Sequence, residues 1–270
     1  MSRKPIVAGN WKMHKNTNEG INFASSVQNK LLKVGNVTVI YAPPFTGLFQ
    51  LKVSPPYHKS AQNCHWEEKG AFTGETSVSM IKACGAEYVI VGHSERRQYF
   101  GETDELVNKK ISAIISSDLD PIFCIGETLN QRESGETASV LKKQICDGLN
   151  NIESLSSIII AYEPVWAIGT GLTADAEQIE KAHSHIVNVV SELYEKINEI
   201  QKYFLINKKR QNHEEALKML GGAKQITDNF FDNVIVNHEN LDIKKNRLAL
   251  LQMFCRTCNN FIDFSRIEGY

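Results

Sequence analysis

Short runs of β-forming residues return at a spacing of about 30 residues through the first part of the chain, the length of one strand–helix unit. They are Ile6-Val7-Ala8, Val37-Thr38-Val39-Ile40-Tyr41, the stretch around Ala61-Gln62, Tyr88-Val89-Ile90-Val91, Ile122-Phe123-Cys124-Ile125 and Ile158-Ile159-Ile160-Ala161-Tyr162. Most are unbroken apolar runs rather than alternating ones. Strands covered on both faces read this way, which points to a parallel sheet flanked by helices. The intervening segments have helical spacing. In Glu102–Ser116, Leu106, Val107, Ile111, Ile114 and Ile115 share one face.

A longer helix is predicted from Thr173 or Asp175, either of which can cap it. Its apolar stripe runs through Ile179, Ala182, Ile186, Val189, Val190, Leu193, Ile197 and Ile200 to the region of Phe204. Lys208-Lys209-Arg210-Gln211-Asn212 reads as a linker or turn. A further helix follows over about His213–Leu220, stopped by Gly221-Gly222. Strands alternating with helices in 270 residues fit the (β/α)₈ barrel of about 250 residues. Six βα units are recognisable. The predicted fold is therefore α/β, of the (β/α)₈ TIM-barrel type, incomplete at about six units over residues 1–205, with a helical C-terminal appendage over 213–270. Tyr203-Phe204-Leu205-Ile206 and Val234-Ile235-Val236 are alternative readings as a seventh and an eighth strand.

The formal net charge of −1 removes any global pull toward nucleic acid or anionic membrane. Residues 201–270 hold 11 Lys/Arg against 8 Asp/Glu, an excess too small to argue for RNA by itself. No apolar run reaches the roughly 18 residues of a membrane span. The start, Met1-Ser2-Arg3-Lys4-Pro5, lacks the apolar core of a secretory leader. Cys64, Cys84, Cys124, Cys146, Cys255 and Cys258 are scattered, as reduced thiols of a cytosolic protein would be. Cys255 and Cys258 form a lone C-x-x-C without the second pair that a zinc site needs, so no metal is expected.

Polar clusters follow the strands: Gly9-Asn10-Trp11-Lys12, Gly92-His93-Ser94-Glu95-Arg96-Arg97, Gly126-Glu127 and Glu163-Pro164. Taken singly, each is a solvated carboxylate, a surface cation or a structural histidine. In a parallel βα barrel, however, the strand C-termini share one face and build the site there. Lys12, His93 and Glu163 can then meet although far apart in sequence.

Gly9–Met13, Ala61–Glu75, Val91–Arg97 and Ala161–Gly171 resemble the signature segments of triosephosphate isomerases, in the family's order. The resemblance implies an isomerase of glycolysis and gluconeogenesis that interconverts dihydroxyacetone phosphate and glyceraldehyde 3-phosphate through an enediolate, with no cofactor and no metal. It implies Glu163 as base, His93 as neutral electrophile, Lys12 as the cation on substrate and developing charge, and Asn10 as a positioning amide. Pro164-Val165-Trp166 would be the first hinge of a lid, Ala167-Ile168-Gly169 its tip, with a backbone N–H near Gly169 on the phosphate, and Thr170-Gly171-Leu172 its far end. Ala71-Phe72-Thr73-Gly74-Glu75 resembles a dimerisation loop that carries Thr73 into a neighbouring subunit, so a cytoplasmic homodimer is implied. Arg96, Arg97 and Glu127 are expected to support the site, and Glu95 or Glu127 to tune Lys12. His183, His185, His14 and Cys124 are assigned to packing or surface. His14 stands where the family has Asn.

The two Gly-rich phosphate loops that the family carries in its last third do not appear in this sequence. Instead Glu214–Leu217, Ile226–Asn237, Asn246–Leu251 and Phe261–Ser265 resemble the end of the bacterial glycyl-tRNA synthetase β subunit. That resemblance implies a helical anticodon-binding segment and tRNA as an alternative partner, with Arg247, Lys244, Lys245 and Arg256 as candidate phosphate contacts. An inactive fusion is the remaining alternative.

Overall fold

The computed structural model describes residues 4–31, 36–168 and 171–210, with side chains as far as 198. The chain divides into two compact units, Met1–Asn198 and Glu199–Tyr270.

In the first unit the elements run β1 (Ile6–Asn10), α1 (Thr17–Lys30), β2 (Thr38–Ala42), α2 (Phe45–Leu48), β3 (Tyr57–Ala61), α3 (Val78–Ala83), β4 (Tyr88–Val91), α4 (Ser94–Phe100), α5 (Asp104–Ser116), β5 (Asp120–Ile125), α6 (Leu129–Glu133), α7 (Thr137–Gly148) and β6 (Ile159–Tyr162). A 3₁₀ turn at Val165–Ala167 precedes α8 (Ala176–Arg210). All six predicted strands are present. They pair in sequence order, β1-β2-β3-β4-β5-β6, and every pairing is parallel. This is the α/β architecture of a TIM-type barrel, with six strands among the described residues.

The unbroken apolar runs have a direct cause. Side chains of period two alternate between two apolar layers. Val89, Val91, Phe123 and Ile125 point into a layer completed by Ile81, Ile111, Ile114, Leu141, Ile145 and Ile186 from the helices. Ile40, Ala42, Ile90, Ile122 and Cys124 fill the opposite face. A third cluster, Trp11, Ala24, Val39, Tyr41, Leu51 and Tyr57, holds α1 against β2. β1 is the exception: Ile6 is 42% and Val7 60% exposed, and β2 is its one partner among the described residues.

Local sequence sets the helix starts. Asn16 and Glu19 form a capping box on α1, Thr103 accepts from the Leu106 amide on α5, and Thr128 with Gln131 does for α6 what Asn16 does for α1. Of the two candidate caps for α8, Asp175 takes the role. Its Oδ1 accepts the Gln178 amide at 2.7 Å, and Gln178 Oε1 accepts the Asp175 amide at 3.1 Å.

Two expectations about the end of α8 change. The helix continues through Tyr203-Phe204-Leu205-Ile206, so the reading of these residues as a strand does not hold. It also continues through Lys208-Lys209-Arg210, expected as linker. Lys and Arg are good helix formers, and no Gly or Pro interrupts them. The expected helix His213–Leu220, the Val234–Val236 strand alternative, the Cys255/Cys258 pair and the synthetase-like appendage lie outside the described residues.

Phe123 is fully buried, and α7 approaches it so closely that a Cβ on Gly148 would lie 2.5 Å from its ring. Phe123→Ala should cost about 3–5 kcal/mol, read as a lower urea midpoint with an unchanged m-value.

Candidate active site

The parallel sheet delivers four loops to one end. Lys12 leaves β1 with φ of +50°, a left-handed conformation that a side chain bearing Cβ rarely adopts. Such a residue costs on the order of 1–3 kcal/mol unless its surroundings fix it. Two amides do so. Asn10 Oδ1 accepts the Lys12 N–H at 2.9 Å, and Gln62 Nε2 donates to the Lys12 carbonyl at 2.9 Å and to that of Ala42 at 2.8 Å. The Lys12 ammonium then lies 2.7 Å from Glu95 Oε1, in the first turn of α4.

His93 caps the same helix. Its Nδ1 accepts the Glu95 amide at 3.2 Å, so the ring proton belongs on Nε2. Nε2 lies 3.1 Å from Glu163 Oε1. The other Glu163 oxygen accepts the Ser94 amide at 2.9 Å, at the positive end of α4. His93 and Glu163 are both largely buried, with side chains 10% and 14% exposed. The structure therefore joins Lys12, Glu95, His93 and Glu163 in one chain of short polar contacts drawn from β1, β4 and β6. Asn10 belongs to this group through the Lys12 amide. Gly169 and Thr170 lie outside the described residues.

The supporting charges fall into two buried clusters. Glu102 Oε2 accepts the Gly92 amide at 2.9 Å, and its Oε1 meets Lys110 and Arg96 Nε. Lys110 also donates to Asn63 Oδ1 at 2.8 Å. Gly92 has φ of +71°, and a Cβ there would lie 2.9 Å from the Cys124 carbonyl, so this turn before His93 needs glycine. Arg97 braces it, with Nε donating to Gly92 O at 2.7 Å and Nη1 paired with Asp104 at 2.6 Å.

Glu127 is fully buried and supports the site through the segment after β6. Its carboxylate receives Trp166 Nε1 at 3.1 Å, the Tyr162 hydroxyl at 3.0 Å and Arg132 Nη1 at 3.0 Å. It thus anchors the segment after β6, while Glu95 is the partner of Lys12. Burial, together with the Glu127 charge, pushes the Tyr162 phenol up to about 12.

Cys124, read from sequence as packing or surface, is buried with its thiol against the Glu163 carboxylate. Burial first, and that charge second, hold the thiol well above its usual value. The histidines assigned to packing or surface take those places. His183 packs edge-on against Tyr162, and His185 Nε2 contacts Ala138 O at 2.9 Å. The Ala71–Glu75 loop is exposed, with Phe72 against the buried His65. Among the described residues no helix is long and apolar enough to cross a membrane.

A family model described as "Triosephosphate isomerase" matches residues 5–203. The triosephosphate isomerase of Endomicrobium trichonymphae is 48% identical over 198 residues, which cover 72% of this chain and 79% of that protein. That of Geobacter metallireducens is 50% identical over 197 residues, covering 71% and 78%. That of Lactobacillus delbrueckii subsp. bulgaricus is 40% identical over 253 residues, covering 88% and 100%.

Burial raises the Glu102 carboxyl's pKa, but Lys110 and Arg96 outweigh it and hold the group below its ordinary 4.5. The folded state then binds fewer protons than the unfolded one as pH falls. Stability is complete above about pH 4.5 and is lost as the pH drops through the lower folded value. Glu102→Gln should flatten this acid limb in urea melts between pH 3 and 7. It should also cost about 3–5 kcal/mol at neutral pH by leaving Lys110 buried without its partner.

Proposed function

Because the chain belongs to the triosephosphate isomerase family, we propose that it is an isomerase interconverting dihydroxyacetone phosphate and glyceraldehyde 3-phosphate through an enediolate. The observation that carries this reading is the Glu163–His93 contact at 3.1 Å, with Lys12 tied into the same loop system by Glu95.

Glu163 removes a proton from the carbon beside the substrate carbonyl. Its place supports that role: the carboxylate is held by the Ser94 amide at 2.9 Å and lies 3.1 Å from His93 Nε2, where a substrate carbonyl would sit. The Nε2–H of neutral His93 donates to the carbonyl oxygen as negative charge grows there. Glu163 then returns the proton it removed to the neighbouring carbon, while the hydroxyl proton of the first carbon passes to the former carbonyl oxygen, so that carbonyl and hydroxyl exchange places with no net gain or loss of protons. A substrate oxygen that takes the Nε2–H as its donor displaces Glu163 Oε1, so substrate and base exchange places at His93. Lys12 holds the anionic substrate and balances the enediolate charge, and Asn10 fixes the strained backbone that aims Lys12. No cofactor or metal is needed for this sequence of steps.

The Glu127–Trp166 bond supports a hinge at Pro164-Val165-Trp166, with Gly169 contributing a backbone N–H to the phosphate. The exposed Ala71–Glu75 loop supports a homodimer that exchanges Thr73 between subunits. Glycolysis and the cytoplasm go with that activity. The sequence lacks both Gly-rich phosphate loops of the family, so fewer fixed N–H donors meet the dianion, and weak substrate binding is part of the proposal. We assign the isomerase to residues 1–205 and a separate segment to 213–270. The synthetase-like sequence of that segment supports a second reading, a tRNA-binding module. A salt-dependent tRNA complex lost on deleting 213–270 is its test.

In a coupled assay run from either triose phosphate, Glu163→Gln should lower kcat by roughly 10²–10⁴-fold. Equal turnover by the two proteins would remove the isomerase claim.

A further inference from the structure

We propose that Gln144, on α7, is a positioning residue that fixes Glu163 through the peptide of Gly126; the inference rests on the reading of Glu163 as base.

β5 ends at Ile125, whose last partner on β6 is Tyr162. Gly126 lies beyond the strand, where the β5–β6 ladder no longer supports it. One side chain replaces the ladder. Gln144 Oε1 accepts the Gly126 N–H at 2.8 Å, and Gln144 Nε2 donates to the Gly126 carbonyl at 3.0 Å. A carboxamide alone among uncharged side chains offers an acceptor and a donor at the spacing of one residue's two backbone groups.

What Gly126 touches gives this clamp its consequence. A Cβ on Gly126 would lie 1.8 Å from the Glu163 carbonyl oxygen and 2.9 Å from its carbon, so the two backbones are in direct contact. The Ile125 carbonyl meanwhile accepts the Glu163 N–H at 2.7 Å. Residues 125 and 126 thus grip Glu163 at both ends of its backbone, and the carboxylate of Glu163 reaches Ser94 N–H and His93 Nε2 from that position. On the other side of Gly126, Glu127 holds Trp166. A single amide on α7 therefore governs the spacing between the base and the segment that follows it.

Docking of α7 does not need this amide. Leu141, Ile145 and Gly148 supply the buried face of the helix, while Gln144 is partly exposed. The site had no signal in the sequence, because a glutamine in the middle of an amphipathic helix reads as solvated surface.

The test is Gln144→Met, which keeps side-chain length and removes both bonds, with Lys142→Met on the same helix as control. Amide exchange by NMR reads the Ser94 N–H, which reports whether the Glu163 carboxylate is docked, and the Val89 and Ile90 amides, which report the sheet. The expected result is at least tenfold faster exchange at Ser94 with Val89 and Ile90 unchanged, and a roughly tenfold lower kcat with KM within about twofold. Unchanged Ser94 exchange overturns the proposal whatever kcat does, and so does uniform acceleration at all three amides, which would mark a structural role. A parent protein without turnover would sink the isomerase reading alone, since the Ser94 readout still decides the role of Gln144.

Discussion

The bond from the Ser94 amide to the Glu163 carboxylate joins the end of β6 to the start of α4, and the arrangement of the site follows from it. A helix N-terminus presents free N–H groups and a partial positive charge, so a carboxylate placed there is favoured both as acceptor and as anion. His93 caps the same terminus from one residue earlier. The acidic group is thereby brought against Nε2, and the amide at Glu95 decides which ring nitrogen carries the proton. One helix end sets the position of the carboxylate and the tautomer of the imidazole together.

Around this contact, the protein separates its buried charges by task. Glu102, Lys110, Arg96 and Asn63 fix the turn before His93. Glu127, Arg132, Tyr162 and Trp166 fix the segment after Glu163. Each cluster is built around a carboxylate with almost no access to water, so each needs its partners complete. The first cluster acts on backbone at Gly92 and the second on a side chain, the Trp166 indole, and both leave the Lys12–Glu95 pair as the more solvated charge of the site.

The central strands were legible because burial on both faces leaves no polar position to hide the run, as in Tyr88–Val91 and Ile122–Ile125. β3 was the weakest signal: Tyr57–Ala61 carries Lys59, which is 5% exposed and bonded to the Leu48 carbonyl, an arrangement no periodicity announces. Helix ends were legible where a short polar side chain could cap, as at Asp175. The end of α8 was misjudged because charge was read as loop. Of the site, the residues with family motifs were legible and their supports were not. Glu102 and Lys110 are eight residues apart, and nothing in the local pattern pairs them. Cys124 packs as it was read, in the layer of Ile40, Ile90 and Ile122. These contacts depend on tertiary packing, which local sequence does not encode.

The exposure of β1 bears on how such a site would fail. Asn10 and Lys12 hang from a strand with Ile6 and Val7 open to solvent, whereas His93 hangs from β4, packed into the main apolar layers, and Glu163 from the half-buried β6. Opening free energy varies across a fold with the apolar contacts that each part must break. Warming therefore releases the ammonium arm before the imidazole, and inactivation runs ahead of global melting.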